Sequence, residues 1–420
     1  MASPLFNLID KIIKTGTLRI KTETGEITTF GDGSGEPVAV RFTDRQAQDL
    51  VASDPALTLG EMYMQGRFLM EEGDIYDFLS LVRRNTLDIV FSPMMAAKLF
   101  WRTGLAQIST RLPINRNRKN VSHHYDLTPP LFSLFLDEDW QYSCAYFDPP
   151  DISLDEAQLA KKRHIAAKLR LNEGQRVLEI GSGWGGLSMY LAEMAGVDCT
   201  GITLSHEQHD ISEDRAAKRG LSDRVRFKLQ DYRTMKAKPF DRIVSVGMFE
   251  HVGIGRYRNF FDKCFELLDD DGVMVLHSIG RDIAGHGHTN PFIEKYIFPG
   301  GYIPSLAEVL PAVEKSGLLV RDIEILQMHY AHTLRAWRQR FVSRKEEAIR
   351  LYDEQFFRMW EFYLAGSEMA FEWDKMFVFQ MQLSKSQFAT PNNRRYMFEA
   401  EEKLKAAEAT RAPLEPVEFD

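Results

Sequence analysis

The chain has 420 residues, of which 44% are hydrophobic and 27% charged, with a formal net charge of −8; at about 150 residues per domain, more than one domain is expected. That composition excludes wholesale disorder and the fibrous classes, and the acidic balance argues against a nucleic-acid binder, which would carry a basic excess. Cys144, Cys199 and Cys264 show no paired spacing, so neither a disulfide framework nor a zinc ribbon is expected, and a reducing cytoplasm fits.

The chain opens MASPLFNLIDKIIKTG, without a basic n-region and with Asp10 and Lys11 interrupting its apolar stretch, which speaks against a signal peptide. Leu5, Phe6, Leu8, Ile9, Ile12 and Ile13 form one helical stripe, and docking on its own domain is favoured over anchoring in a membrane. Short alternating runs follow (Leu18, Ile20; Ile27, Phe30; Val38, Val40, Phe42), separated by Gly, Asp and Ser clusters. They predict a small antiparallel meander. Helical periods around Thr43–Asp54 and Asp74–Arg83 complete a small α+β module.

Between Ile89 and Tyr125 there is no acidic residue, while Lys98, Arg102, Arg111, Arg116, Arg118 and Lys119 are basic. Two readings stand: a helix followed by a solvated linker, or a surface that meets anionic phospholipid headgroups, where each Lys or Arg contributes about 1 kcal/mol. No apolar run approaches the roughly 18 residues of a membrane span, so bilayer contact is expected to be peripheral. The Asn-, Arg- and Pro-rich stretch marks a boundary. The expected division is an N-terminal α+β domain over 1–111, a linker over 112–121 and a catalytic domain over 122–420.

Beyond it, strand and helix patterns alternate: QRVLEIGSGWGG before LSMYLAEMA, VDCTGITLS before a charged helix from His206, then VRFKLQDY, FDRIVSVGM, a helix over Tyr257–Leu268, and GVMVLHSIG. This predicts an α/β fold with a parallel sheet covered by helices on both faces. The run FIEKYIFPGGYIP suits a packed crossover or one wall of an acyl tunnel, with Phe292, Tyr296, Phe298 and Tyr302 as lining candidates. The last sixty residues read as aromatic-rich helix and a charged tail. His123, His124, His286 and His288 lack companion ligand spacing and read as loop histidines, so no metal site is expected.

Gly181-Ser182-Gly183-Trp184-Gly185-Gly186 stands between a strand and a helix, the context in which G-x-G-x-x-G lets backbone approach a ligand. The motif alone does not separate dinucleotide from S-adenosylmethionine (SAM) enzymes. Glu179 precedes the loop, the second strand ends in Gly201-Ile202-Thr203-Leu204 without the acid that a nicotinamide ribose requires, and Gln230-Asp231 offers a carboxylate to an adenine amino group. Together these favour SAM.

VLEIGSGWGG, GITLSHEQ, LQDY and GMFEHVG, flanked by HHYDL, QYSCAYF, LHSIGR, YIFPGGYIPS and HYAHTLRAW, closely resemble the cyclopropane-fatty-acyl-phospholipid synthase family, which includes the mycolic acid cyclopropane synthases. The resemblance runs in order from about Asn120 to Trp337. It implies a class I SAM-methyltransferase, Rossmann-like sheet and methyl transfer from SAM to a cis double bond of a phospholipid acyl chain, closing a cyclopropane ring. Carried over by position, the SAM contacts are Tyr142, Ser143, Gly181, Gly183, Thr203, Leu204, Gln208, Gln230 and Asp231. The family also holds a bicarbonate ion at the reacting centre. Its matching positions are Glu250, His277 and Tyr330, with Cys144 and Ile279 acting through backbone. Close relatives make a methyl or methylene branch from the same carbocation; that alternative, and a non-catalytic lipid-binding protein, stay open. The expected partner is unsaturated phospholipid at the inner face of the membrane, met peripherally from the cytoplasm, and a homodimer is a further expectation.

Overall fold

A computed structural model describes residues 4–87, 127–282 and 289–410. The chain divides into two compact units, and both are discontinuous in sequence: one comprises Met1–Phe135, His288–Gly301 and Leu334–Met376, the other Leu136–Gly287, Tyr302–Thr333 and Phe377–Asp420. The expected break into 1–111 and 122–420 is therefore modified, because two later segments belong with the first unit. The expected linker over 112–121 lies outside the described residues, as do the six basic residues from Lys98 to Lys119 and the four loop histidines.

In the first unit, strands β1 (Thr17–Lys21), β2 (Ile27–Gly31), β3 (Pro37–Phe42) and β4 (Phe68–Glu72) form a sheet of order β2-β1-β3-β4. β2 pairs antiparallel with β1 as expected, but β3 crosses over to run parallel to β1, with Leu18 opposite Val38 and Ile20 opposite Val40. The meander is corrected accordingly. This register places the buried Leu18, Ile20, Val38 and Val40 side by side, which a hairpin with β2 would not do. The helix Pro4–Ile12 docks on its own unit through buried Leu5 and an edge contact of Phe6 with Phe30.

The added segments bring the helices Pro291–Tyr296 and Glu354–Trp373 into this unit. Phe292 is fully buried, its ring 4.8 Å from that of Phe362, and Phe298 meets Tyr363 at 5.7 Å. Gly60 makes room for both Phe292 and Phe362, since a Cβ there would lie 2.5 Å from the Phe292 ring. Phe292 thus fills a core of this unit, whereas Tyr296, Phe298 and Tyr302 are partly buried.

The second unit is built on a seven-stranded sheet of order β10-β11-β9-β8-β5-β6-β7, formed by β5 (Arg176–Ile180), β6 (Asp198–Thr203), β7 (Val225–Leu229), β8 (Phe240–Val246), β9 (Leu268–Arg281), β10 (Leu319–Leu326) and β11 (Met376–Ser384). β5 to β9 are mutually parallel, and β10 pairs antiparallel with β11. Side chains alternate between two cores. Leu178, Ile180, Ile243, Met274 and Leu276 join Phe377, Phe379, Met381 and Leu383 against the helices Tyr257–Leu267 and Leu306–Ser316. Val177, Val244 and Val275 face the helices Leu154–Leu169, Gly186–Ala195 and His206–Lys218 through Ile165, Tyr190 and Ala216. β11 lies where the sequence pattern predicts aromatic-rich helix. Its period-two alternation of Phe377, Phe379, Met381 and Leu383 with Gln380, Gln382 and Ser384 is a strand pattern, obscured because its polar face is buried too.

Candidate active site

The glycine loop leaves β5 at its carboxyl end. Gly181, Gly183 and Gly185 have φ of +85°, +52° and +82°, left-handed backbone that favours glycine. The N–H groups of Gly181 and Ser182 donate to the Ile202 carbonyl at 2.9 and 3.0 Å, tying the loop to β6. A Cβ on Gly181 would strike Met248, whereas one on Gly183 would meet nothing within 4 Å. The loop is therefore closed on one side and open on the other, as a cradle for a ligand requires. Glu179 does not face this space: its buried carboxylate accepts from the backbone and hydroxyl of Ser188, in the first turn of the following helix. Burial pushes its pKa up to about 7.

The other positions expected to contact SAM gather at the same edge. Thr203 ends β6 and its hydroxyl bonds the Gln208 side chain at 2.9 Å; Leu204 beside it is exposed. The Gln230 N–H donates to the Thr203 carbonyl. Asp231 follows, but its carboxylate is engaged by Arg233, whose guanidinium and backbone N–H hold its pKa below the ordinary value. An adenine amino group would share this carboxylate with Arg233. Ser143 is buried, its Oγ accepting from Lys161 Nζ at 2.8 Å, and a Cβ added to Gly247, after β8, would lie 3.9 Å from the Ser143 Cβ. Tyr142 precedes it, half-buried. The segment carrying both is held by Asp139, whose carboxylate binds Lys162, Arg215 and Arg219.

Glu250 lies in a short 3-10 turn after β8, and His277 sits on β9 opposite Val246 at the end of that strand. Glu250 Oε1 accepts from the Ile279 N–H at 2.7 Å; Oε2 is buried with no hydrogen-bond partner among the described residues. Burial accordingly raises its pKa. His277 is buried, and desolvation, with the charges of Lys161, Lys168 and His164, holds its pKa well below the ordinary value. Its Nδ1 faces Gln380 Nε2 at 3.2 Å. Cys144 is also buried, and burial pushes its thiol up, so the sulfur is unsuited to nucleophilic chemistry. The next residue, Ala145, donates its N–H to Thr333 Oγ1 at 3.0 Å, and Phe147 N–H donates to His329 Nδ1 at 2.9 Å. These bonds bring Tyr330, in the first turn of the helix His329–Ser343, to the segment of Cys144.

One expectation is refined. The Ile279 N–H is taken by Glu250, so it orients the carboxylate instead of pointing at an ion. Sequence reasoning did not single out Lys161, Lys168, Asp139 or Gln380, whose partners lie far away along the chain. Ser182 Oγ, inside the glycine loop, is likewise buried without a partner among the described residues. Buried polar atoms of this kind carry a desolvation cost that a ligand can relieve, and together with the open face at Gly183 they fit the loop to SAM.

The strand order, the glycine loop at the end of β5 and the polar residues at the carboxyl edge define a class I SAM-dependent methyltransferase. Residues 113–381 match the mycolic acid cyclopropane synthetase family, and the chain belongs to it. It is 35% identical over 359 residues to the cyclopropane-fatty-acyl-phospholipid synthase of Escherichia coli (strain K12), covering 83% of this chain and 88% of that protein. The probable fatty acid methyltransferase of Pseudomonas putida is 40% identical over 259 residues, which span 60% of this chain and 65% of the relative's length. Among solved structures, mycolic acid cyclopropane synthase CmaA1 complexed with SAH and CTAB superposes with a TM-score of 0.59 and 36% identity, over 63% of this chain and 97% of that one.

Proposed function

We propose that the protein adds a methylene from SAM across the cis double bond of an unsaturated acyl chain esterified in a phospholipid, forming a cyclopropane ring. SAM supplies an electrophilic methyl group. Tyr142, Ser143, Gly181, Gly183, Thr203, Leu204, Gln208, Gln230 and Asp231 would hold it at the carboxyl edge. An alkene is a weak nucleophile, so the reaction needs close alignment and exclusion of water, which would otherwise capture the carbocation left by methyl transfer. Loss of one proton then closes the ring. A bicarbonate ion, held by Glu250, His277, Tyr330 and the backbone at Cys144, would supply the base, with the Ile279 N–H orienting Glu250.

The observation that carries this reading is Glu250: a buried carboxyl with one oxygen anchored by Ile279 and the other unpartnered. Such an oxygen is suited to accept the hydroxyl hydrogen of a small anion, while His277 and Tyr330 offer donors. The name of the Pseudomonas putida relative supports a second reading, methyl or methylene branching of the same acyl chains.

The substrate is part of a bilayer, so the reading includes peripheral contact with the inner face of the membrane; no described helix is long and apolar enough to cross one. The test is to incubate the protein with methyl-labelled SAM and vesicles of monounsaturated or saturated phospholipid and to examine the lipid by proton NMR. Upfield ring protons with loss of olefin, only from unsaturated vesicles, are expected. A labelled branch would select the second reading, and absence of transfer would overturn both. Bicarbonate-depleted buffer should slow turnover reversibly; an unchanged rate would assign the proton to a protein group.

A further inference from the structure

Behind His277 lies a chain of buried polar side chains that the proposed chemistry does not use. His277 on β9 and Gln380 on the neighbouring β11 are 2% and 0% exposed. Lys168, on the helix Leu154–Leu169 and equally buried, donates from Nζ to Gln380 Oε1 at 2.8 Å and to the Glu324 carboxylate on β10. Glu324 is itself bonded to His164 Nε2 at 2.6 Å. Gln380 Nε2 reaches His277 Nδ1 at 3.2 Å.

The chemistry of these groups permits one arrangement. An ammonium has no lone pair, so the oxygen of Gln380 must face Lys168. The Gln380 amide NH2 then faces His277. A donor opposite Nδ1 requires that nitrogen to be bare, so a neutral ring carries its hydrogen on Nε2. The environment also opposes a second proton, since the ring is enclosed and the Lys168 ammonium stands behind Gln380. A glutamine with no exposure between Phe379 and Met381 incurs a desolvation cost that an apolar residue of similar size would avoid.

We infer that Lys168 and Gln380 are positioning residues that lock His277 as its Nε2–H tautomer, so that the ring presents a hydrogen-bond donor to an anion at the reacting centre. The identity of that anion rests on the proposed function; the tautomer does not. Glu324 extends the chain by holding the Lys168 ammonium in place.

The test is nitrogen NMR of the full-length protein labelled at histidine, with the His277 signals assigned by their loss in His277→Asn. The wild type is expected to show a bare Nδ1 and a protonated Nε2. In Gln380→Glu the carboxylate pairs with Lys168 and turns an acceptor toward Nδ1, so the hydrogen should move to Nδ1. Turnover should then fall about tenfold or more, the scale of one lost buried hydrogen bond, while the Kd for SAM stays within about twofold. Lys168→Met frees Gln380 to turn and should give a mixture of tautomers with a smaller loss. Retention of Nε2–H in Gln380→Glu, or tautomer inversion with wild-type turnover, would overturn the inference. If that variant does not fold, Gln380→Met replaces it: a mixed tautomer with a raised KM for bicarbonate supports the lock, and an unchanged Nε2–H spectrum overturns it. The spectrum requires neither bicarbonate nor lipid, so its failure is distinguishable from failure of the proposed reaction.

Discussion

Asp139 and Glu250 are buried acids of the same unit, surrounded in opposite ways. Asp139 is bound by Lys162, Arg215 and Arg219, and these cations outweigh its burial and hold its pKa below the ordinary value. Glu250 has one backbone N–H and an unpartnered oxygen, and burial drives its pKa up. A carboxylate matched by its surroundings holds the chain together; one short of partners among the described residues is suited to a hydrogen bond from a ligand. Neighbouring elements thus carry a scaffold acid and a candidate chemical acid, distinguished by their surroundings alone.

The largest expected effect comes from Glu250→Gln. Turnover should fall by about 10²- to 10³-fold, the scale of one lost preorganised contact at a reacting centre, with the Kd for SAM near that of the wild type and urea stability equal or higher, because a neutral amide removes the cost of burying the acid. Calorimetry, turnover and urea melts read the three quantities. A stability loss like that of an ion-pair residue would erase the contrast with Asp139.

Asp139→Asn should instead cost about 3–5 kcal/mol of stability, the usual penalty for leaving buried charges unmatched, measured by urea denaturation at pH 7. The folded pKa of Asp139 is depressed, so its contribution is present above the unfolded value of 3.8 and is lost as the pH falls below it. Wild type and variant should therefore converge in acid.

Glu179 sharpens the comparison as an intermediate case, buried and, among the described residues, bonded only to Ser188. Its folded pKa is raised from 4.5 to about 7, so keeping it in the fold becomes progressively unfavourable as the pH rises between those values, by roughly 3 kcal/mol in all. Glu179→Gln should flatten that part of the stability–pH curve in a urea series from pH 4 to 8. The smallest effect is expected from Gly183→Ala. With φ at +52° and open space around the added carbon, it should lose about 1 kcal/mol of stability but weaken SAM binding measurably, because the methyl group enters the space the cofactor needs.

Much of the second unit was legible in the sequence. Val177, Leu178 and Ile180 form a short apolar run that ends at the glycines, and the strand and the loop are both local features. The crossover of β3 to β1 was not legible, since alternation fixes which side of a strand is apolar but not which strand it joins. The placement of Phe292 was hidden for the same reason, because the partner Phe362 lies on a distant helix. Among the candidate site residues, Glu250 could be placed just after β8 and His277 on β9, which runs on to Arg281, whereas the engagement of Asp231 by Arg233 and of the Ile279 N–H by Glu250 emerged only from the folded geometry.

The sequence by itself determined the class of sheet, the glycine loop and the family motifs, because these depend on residues within a few positions of one another. Only the tertiary structure decided which buried acids are matched by cations and which nitrogen of His277 faces a donor. Gln380 is 103 positions from His277 and 212 from Lys168, and a hydrogen bond forms only where the fold brings its two ends within about 3 Å.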